Sequence, residues 1–477
     1  MNIDIRTNLK DTTQIKSRWK KIKKDRPAEA EYWGKRLILV MVICWLLTFL
    51  VSFEMILTIM NAVGILFAII GLKRKALGLL GIAILCTLDS LTRTFLLSGG
   101  LFRWNTVNYW LLLVILINFT LFLRFNDINT RLLQWLLILM VLMLSISLFF
   151  ESGVQSILNI GTVFGIMIYF ARALKEKDTL YWMGMLCGVT GAIGGAAFYL
   201  QAEKLPYLNP NSFSQFPLIA MFAVCLALPN AIKNKRGRFF FLLMIVINLF
   251  WVFISGSRGS LLTGFVCVIC FVLILRNFSW ITLFIIIGIC ATYWLSTTLL
   301  DQQVVALNRI EKLFDQSYTL AQRTSGRSDI AWTGWQIFLK QPVGIGTGSF
   351  KEGASFLNIA GGKERAAHSG WIKTLAENGV LGFILMFAWV VSFFFKGIRS
   401  DEHEKKITGL LVTLVLAVSF ISKEFQGKDL WFLVAGAVIQ LNSEQYLKLF
   451  TDYPDLLDGV RMKKRRRIPV VVTENHE

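Results

Sequence analysis

An all-α fold that crosses a membrane many times is the class this sequence predicts, and three observations predict it. Of its 477 residues 55% are hydrophobic and only 17% charged, with a mean hydropathy of +0.59, too little charge for a soluble chain of this size. Apolar stretches of about 20 residues recur from Leu37 onward, each long enough to cross a ~30 Å hydrocarbon layer. The short polar segments between them alternate between basic and nearly charge-free. In lipid every backbone polar group needs an internal partner, so the spanning structures open to such a chain are helices.

The apolar pattern predicts about fourteen spans. They fall at 37–53, 54–72, 76–97, 107–124, 132–150, 155–173, 179–200, 213–230, 239–255, 259–275, 279–298, 370–395, 406–423 and 429–446. This divides the chain into a basic tail at 1–36, spans one to eleven at 37–298, one large loop at 299–369, three spans at 370–446 and a second basic tail at 447–477. Residues 1–34 lack the apolar core of a cleavable signal peptide.

Charge orients the bundle. Lys and Arg collect in the tails and at 73–75, 124–131, 172–178, 230–238, 276–277 and 396–406, while the alternate short segments at 52–54, 98–105, 151–153, 201–212, 255–259 and 422–428 are poorer in them. By the positive-inside rule both termini are expected in the cytoplasm and the loop 299–369 outside it. The net charge of +20 is thus read as membrane orientation, and no nucleic-acid partner is expected. The basic run 463–467 is an orientation signal or a site for anionic lipid. The halves of the chain are unlike each other, which weighs against an inverted-repeat transporter. All seven cysteines lie in apolar spans, so no disulfide framework is expected, and the Cys267/Cys270 pair reads as packing.

The large loop has its own helical signals. Val304, Leu307, Ile310, Phe314 and Tyr318 recur at helical spacing. A second helix is expected with Ser328 as its N-cap, running through Ile330, Trp332, Trp335, Phe338 and Leu339 until Pro342 stops it. Trp-rich amphipathic helices of this kind lie in the interface plane, or form a small packed cap; the two readings are compatible.

Polar motifs cluster at the predicted outer ends. In SGSRGS (255–260) Arg258 either anchors a helix by snorkelling or, with Ser255 and Ser257 and a helix start, suits a phosphate. In RTSGRSD (323–329) Arg323 and Arg327 bracket Thr324-Ser325-Gly326, and a guanidinium pairs bidentately with phosphate oxygens. Two Arg from separate segments can neutralise a diphosphate leaving group, the task of a divalent metal in many transferases. With no DxD pair in the outer segments, metal-independent chemistry without a cofactor is expected. The Gly-rich PVGIGTGSF (342–350) lacks the Lys-Ser/Thr of a P-loop; it is a tight turn or a ligand contact. His368 opens the twelfth span ahead of Lys373 and Glu377, where an imidazole can take a proton from a sugar hydroxyl. Asn209 and Asn211 of NPNS, and Arg93 four residues after Asp89 on one helix face, are further substrate-binding candidates together with Glu377.

Taken in order, NPNS, SGSRG, SGR with a Trp-rich helix, PxGxGxG, and His368 followed by Glu377-Asn378-Gly379-x-x-Gly382 resemble the O-antigen ligase/polymerase superfamily of bacterial membrane glycosyltransferases. The resembling part covers roughly 200–395. One departure is Ser369, where the family often has Asn after the His; it bears on hydrogen bonding to the acceptor. The resemblance implies glycan transfer from an undecaprenyl-diphosphate-linked donor to an acceptor glycan, with inversion, at the outer face of the bacterial cytoplasmic membrane. By it Arg258 and Arg327 hold the diphosphate and His368 activates the acceptor hydroxyl. A chain-length regulator and a flippase are the protein partners it admits. The fourteen expected spans favour a polymerase over a ligase. A lipid-linked sugar exporter would show two similar halves and charge spread along its path.

Overall fold

The structure is a computed structural model. It describes residues 30–71, 74–95, 177–200, 210–231, 235–255, 257–275, 326–359 and 369–422, with isolated residues at 317, 319, 324, 362 and 367 and within 434–441. Every described regular element is helical. In chain order these are α1 (30–47), α2 (Phe53–Ile70), α3 (Lys75–Phe95), α4 (Lys177–Leu200), α5 (Pro210–Ala231), α6 (Lys235–Ile254), α7 (Arg258–Leu275), α8 (Arg327–Lys340), α9 (Phe350–Phe356), α10 (Gly370–Ile398) and α11 (His403–Ser422). Among the described residues, five helices are long and apolar enough to cross a membrane: α2, α4, α5, α6 and α10, each over most or all of its length. The expected spans 107–124, 132–150, 155–173 and 279–298 lie outside the described residues, and 429–446 is described only in part.

The first span is shifted from its expected place. The apolar pattern predicts 37–53, whereas the helix covers 30–47 and the chain turns at 48–50. Side-chain pairing explains the earlier start. Lys35 Nζ lies 2.6 Å from Glu31 Oε1, one turn apart, and the Arg36 guanidinium stacks over the Tyr32 ring at 3.7 Å. Ser52 then caps α2, its hydroxyl accepting from Met55 N–H, so the apolar residues between the two helices belong to a turn.

Close packing around α4 sets the bundle. Gly184, Gly188, Gly191, Gly194 and Gly195 recur at helical spacing, and a methyl group on any of them would collide with Ala227, Val224, Ala220, Trp45 or Trp251 respectively. Small residues let helices approach closely in a membrane, where dispersion contacts replace the hydrophobic drive. Polar side chains then bond across the seams. Asn248 Nδ2 donates to Gly188 O at 3.1 Å, and Trp251 Nε1 to Ala192 O at 2.9 Å. The six described cysteines are buried and none forms a disulfide; Cys267 and Cys270 sit in the packed interior of α7.

Ring contacts and hydrogen bonds show which helix ends lie together. Phe53 at the start of α2 meets Phe198 near the end of α4, and Phe198 stacks on Phe213 at the start of α5. Ser214 of α5 bonds Ser260 of α7. At the far end of α7, His403 Nε2 donates to Leu273 O at 2.9 Å, so α11 runs antiparallel to α7. Ser369, just before α10, donates to Phe420 O near the end of α11 at 3.1 Å. The starts of α5, α7 and α10 therefore share one end of the bundle. The other end holds Lys396, Arg399, Lys405 and Lys406, along with the basic starts of α4 and α6.

Candidate active site at one end of the bundle

Three helix N-termini, those of α5, α7 and α10, point toward the same end, and none has an acidic residue in its first turn. Each carries roughly half a positive charge from its aligned peptide dipoles, plus N–H groups without intrahelical partners. Two polar junctions hold this end together, one made of serines and one of glycines.

The serine junction ties α5 to the α6–α7 corner. Ser255 Oγ donates to Val252 O at 2.6 Å and accepts from Ser257 N–H at 3.2 Å. Ser257 Oγ donates to Ser260 Oγ at 3.2 Å, and Ser260 and Ser214 share a hydrogen bond of 2.8 Å. All four are buried. The structure thus joins two motifs that lie 46 positions apart in the chain, NPNS with its helix and SGSRGS. Ser255 and Ser257, singled out in the sequence, are internally bonded. Ser214 was not singled out, because nothing local marks one serine in an apolar helix as a cross-helix partner. Arg258 is the first residue of α7. Asn211 lies in the first turn of α5 and Arg93 in the last turn of α3, while Asn209 lies outside the described residues.

The glycine junction is a clasp between the loop 342–349 and a break in α10. Gly379 has φ 65° and ψ −166°, a conformation essentially confined to glycine, and it interrupts the helical hydrogen-bond ladder. The loop supplies the missing partners. Ile345 N–H donates to Ala376 O at 3.1 Å, Gly346 N–H to Glu377 O at 2.9 Å, and Val380 N–H to Pro342 O at 3.1 Å. The two segments pass so closely that a Cβ on Gly344 would strike Glu377 O, and one on Gly379 would strike Pro342 O. Side chains complete the seam. Asn378 Nδ2 donates to Thr347 Oγ1 at 2.8 Å. The buried Glu377 carboxylate accepts from Phe350 N–H, in the first turn of α9, at 3.1 Å and lies 3.9 Å from Lys373 Nζ. Of the two readings of PVGIGTG, the structure shows the turn, docked as a replacement ladder. Glu377 sits inside this seam.

α8 packs on the first half of α10, where a methyl group on Gly334 would collide with Ile372. Ile330, Ile337, Ile345, Phe350, Ala367 and Ala376 form a small apolar core beneath it. The cap lies two residues earlier than expected: the helix begins at Arg327, after Gly326 in a left-handed conformation with φ 78°. Ser328 is therefore inside the first turn, and the Thr324 hydroxyl accepts its N–H at 3.2 Å. Arg327 is partly buried, and Arg323 lies outside the described residues. His368 also lies outside them, but both neighbours are held: Ala367 in the small core, and Ser369 as N-cap of α10, accepting from Ile372 N–H at 3.5 Å. In this chain the residue after the His is thus engaged in starting a helix.

Residues 239–387 match the family model described as O-antigen ligase. The match supports a likeness to the O-antigen ligase/polymerase superfamily. The matched stretch runs from α6 into the middle of α10, so it takes in Ser255 to Ser260, α8, the glycine loop and the break at Gly379. No curated protein sequence matches the chain. The family match, with the apolar helices, supports a multi-pass membrane protein with a glycosyltransferase-like ligase or polymerase activity.

Proposed function

We propose that this protein is a member of the O-antigen ligase/polymerase superfamily and a polysaccharide polymerase of the bacterial cytoplasmic membrane. It transfers a glycan from an undecaprenyl-diphosphate-linked donor to a sugar hydroxyl of a lipid-linked repeat unit, at the outer face. The observation that carries this reading is the convergence of the α5, α7 and α10 N-termini at the end of the bundle away from its basic loops. Three positive helix ends without a first-turn carboxylate suit a diphosphate. The basic residues at the opposite end match the cytoplasmic side of the positive-inside rule.

In this mechanism Arg258, Arg327 and Arg323 bind the donor diphosphate. Ser255 and Ser257 shape the corner from which α7 starts. His368 takes the proton of the acceptor hydroxyl as its oxygen attacks the anomeric carbon. The bond from that carbon to the diphosphate oxygen breaks, its electron pair leaves with the diphosphate, and attack from the opposite face inverts the centre. The arginines offset the charge gained by the leaving group, a term commonly worth several kcal/mol. No step calls on a metal or a nucleotide.

The test is transfer by the purified protein in lipid, with EDTA, supplied only with a diphosphate-linked repeat unit. Wild type should yield a ladder of longer lipid-linked glycans, and His368→Ala and Arg327→Ala should each cost at least about 100-fold. The description of the matched family favours a second reading, a ligase that uses a different acceptor. Absence of a ladder until such an acceptor is added would decide for it. Movement of glycolipid across the bilayer without transfer would replace both readings with an exporter.

A further inference from the structure

α8 is apolar on two faces. Ile330, Thr333, Gly334 and Ile337 form its buried face, against α10 and the small core. Its outward face is apolar as well: Trp332, Trp335 and Leu339 are 47%, 45% and 52% exposed. Between Asp329 and Lys340 the helix carries no charged residue. Lys340 turns aside to α9, donating to Leu357 O at 2.6 Å and Asn358 O at 3.1 Å. A helix face in water ordinarily carries charge, and three large apolar residues at helical spacing mark a contact surface.

The surroundings of this face identify what covers it. Val343, which follows α8, is 66% exposed, and its neighbour Pro342 accepts the N–H of Val380. Val380 begins a run of outward apolar residues on the membrane-spanning α10, continuing through Leu381, Ile384 and Phe387. The lipid-facing side of α10 thus passes through Val343 onto the end of α8. Tryptophan is enriched where hydrocarbon meets headgroups, and apolar helix faces lie in that plane.

We infer that the Trp332–Trp335–Leu339 face of α8 is a bilayer-docking surface, seated in the interfacial layer of the leaflet at the α10 N-terminal end. The glycine clasp sets its depth, because it ties the end of α8 to one level of α10. Arg327, at the start of the same helix, is then held at headgroup level, where the phosphates of a lipid-borne substrate lie. The site opens sideways to the membrane, and a diphosphate lipid reaches it without leaving the bilayer. This consequence rests on the proposed function; the docking itself does not.

Nitroxide labels at Trp335→Cys and Leu339→Cys, in nanodiscs of phosphatidylethanolamine and phosphatidylglycerol, test the docking without substrate. Labels at Ile384→Cys on α10 and Asp401→Cys in the exposed α10–α11 turn bracket the scale, and the unsubstituted protein, whose described cysteines are buried, sets the background. The α8 labels should relax more with oxygen than with a water-soluble nickel chelate, as the Ile384 label does. Behaviour like that of the Asp401 label would overturn the inference. So would protection from both reagents, which would assign the face to a protein partner or a second copy. A label-free check covers variants that do not fold: Trp332→Phe/Trp335→Phe should lose part of the fluorescence quenching by brominated phosphatidylcholine, and unchanged quenching would also overturn it. A transfer assay that fails while the docking holds would count against the proposed function alone.

Discussion

The serine junction and the glycine clasp meet the same need, a polar seam inside an apolar bundle, with different materials. The serines use hydroxyls. Each is both donor and acceptor and rotates to suit its neighbours, so Ser214, Ser257 and Ser260 can redistribute their bonds when one is lost. The clasp uses backbone. Its donors and acceptors are fixed, Gly379 holds a conformation other residues avoid, and the two backbone segments pass too closely for a side chain. The first seam tolerates change; the second does not.

The largest effect is expected at the clasp. Gly379→Ala combines backbone strain with a collision against Pro342 O and should destabilise the protein by on the order of 3 kcal/mol or more, read as thermal unfolding in detergent. Wild-type stability in that variant would mean the close approach is not rigid. Gly344→Ala should follow, since it strikes the Glu377 carbonyl at the same seam.

Next comes Glu377. Glu377→Ala leaves the Phe350 N–H without its acceptor and Lys373 without its nearby carboxylate, and should cost about 1–3 kcal/mol. Glu377→Gln keeps an acceptor and should recover most of the loss. Equal losses from the two changes would show that the negative charge, rather than the hydrogen bond, secures α9.

The serines should give the smallest stability effects. Ser260→Ala removes one partner from each of Ser214 and Ser257, and about 1 kcal/mol is expected. A double-mutant cycle with Ser214→Ala measures how far the remaining hydroxyls compensate. If the corner serves the diphosphate as proposed, Ser257→Ala should lower transfer rate more than its stability loss accounts for. A matched loss in both would reduce the junction to packing and sharpen the contrast with the clasp differently.

Among the described residues, helix positions were largely legible in the sequence. The expected spans 179–200, 213–230 and 259–275 match α4, α5 and α7 to within a few residues, because apolar length is a local property. The shift of α1 and the start of α8 were less legible, since each is settled by a few side-chain contacts at the boundary: Arg36 on Tyr32, and Thr324 on Ser328. At the candidate site, SGSRGS and the His368 region could be picked out by residue type. The linkage of Ser214 to Ser260, and of Asn378 to Thr347, could not, because each joins positions far apart in the chain.

By itself the sequence determined that this chain is helical and membrane-embedded, and which short segments are basic. Apolar length, period and charge act over one turn or one span. Only the tertiary structure decided that α10 breaks at Gly379, and that the glycine loop fills the break. It also decided that three helix N-termini meet at one end. Those outcomes depend on backbone groups finding partners across the fold, and a buried N–H or C=O must find one wherever the chain supplies it.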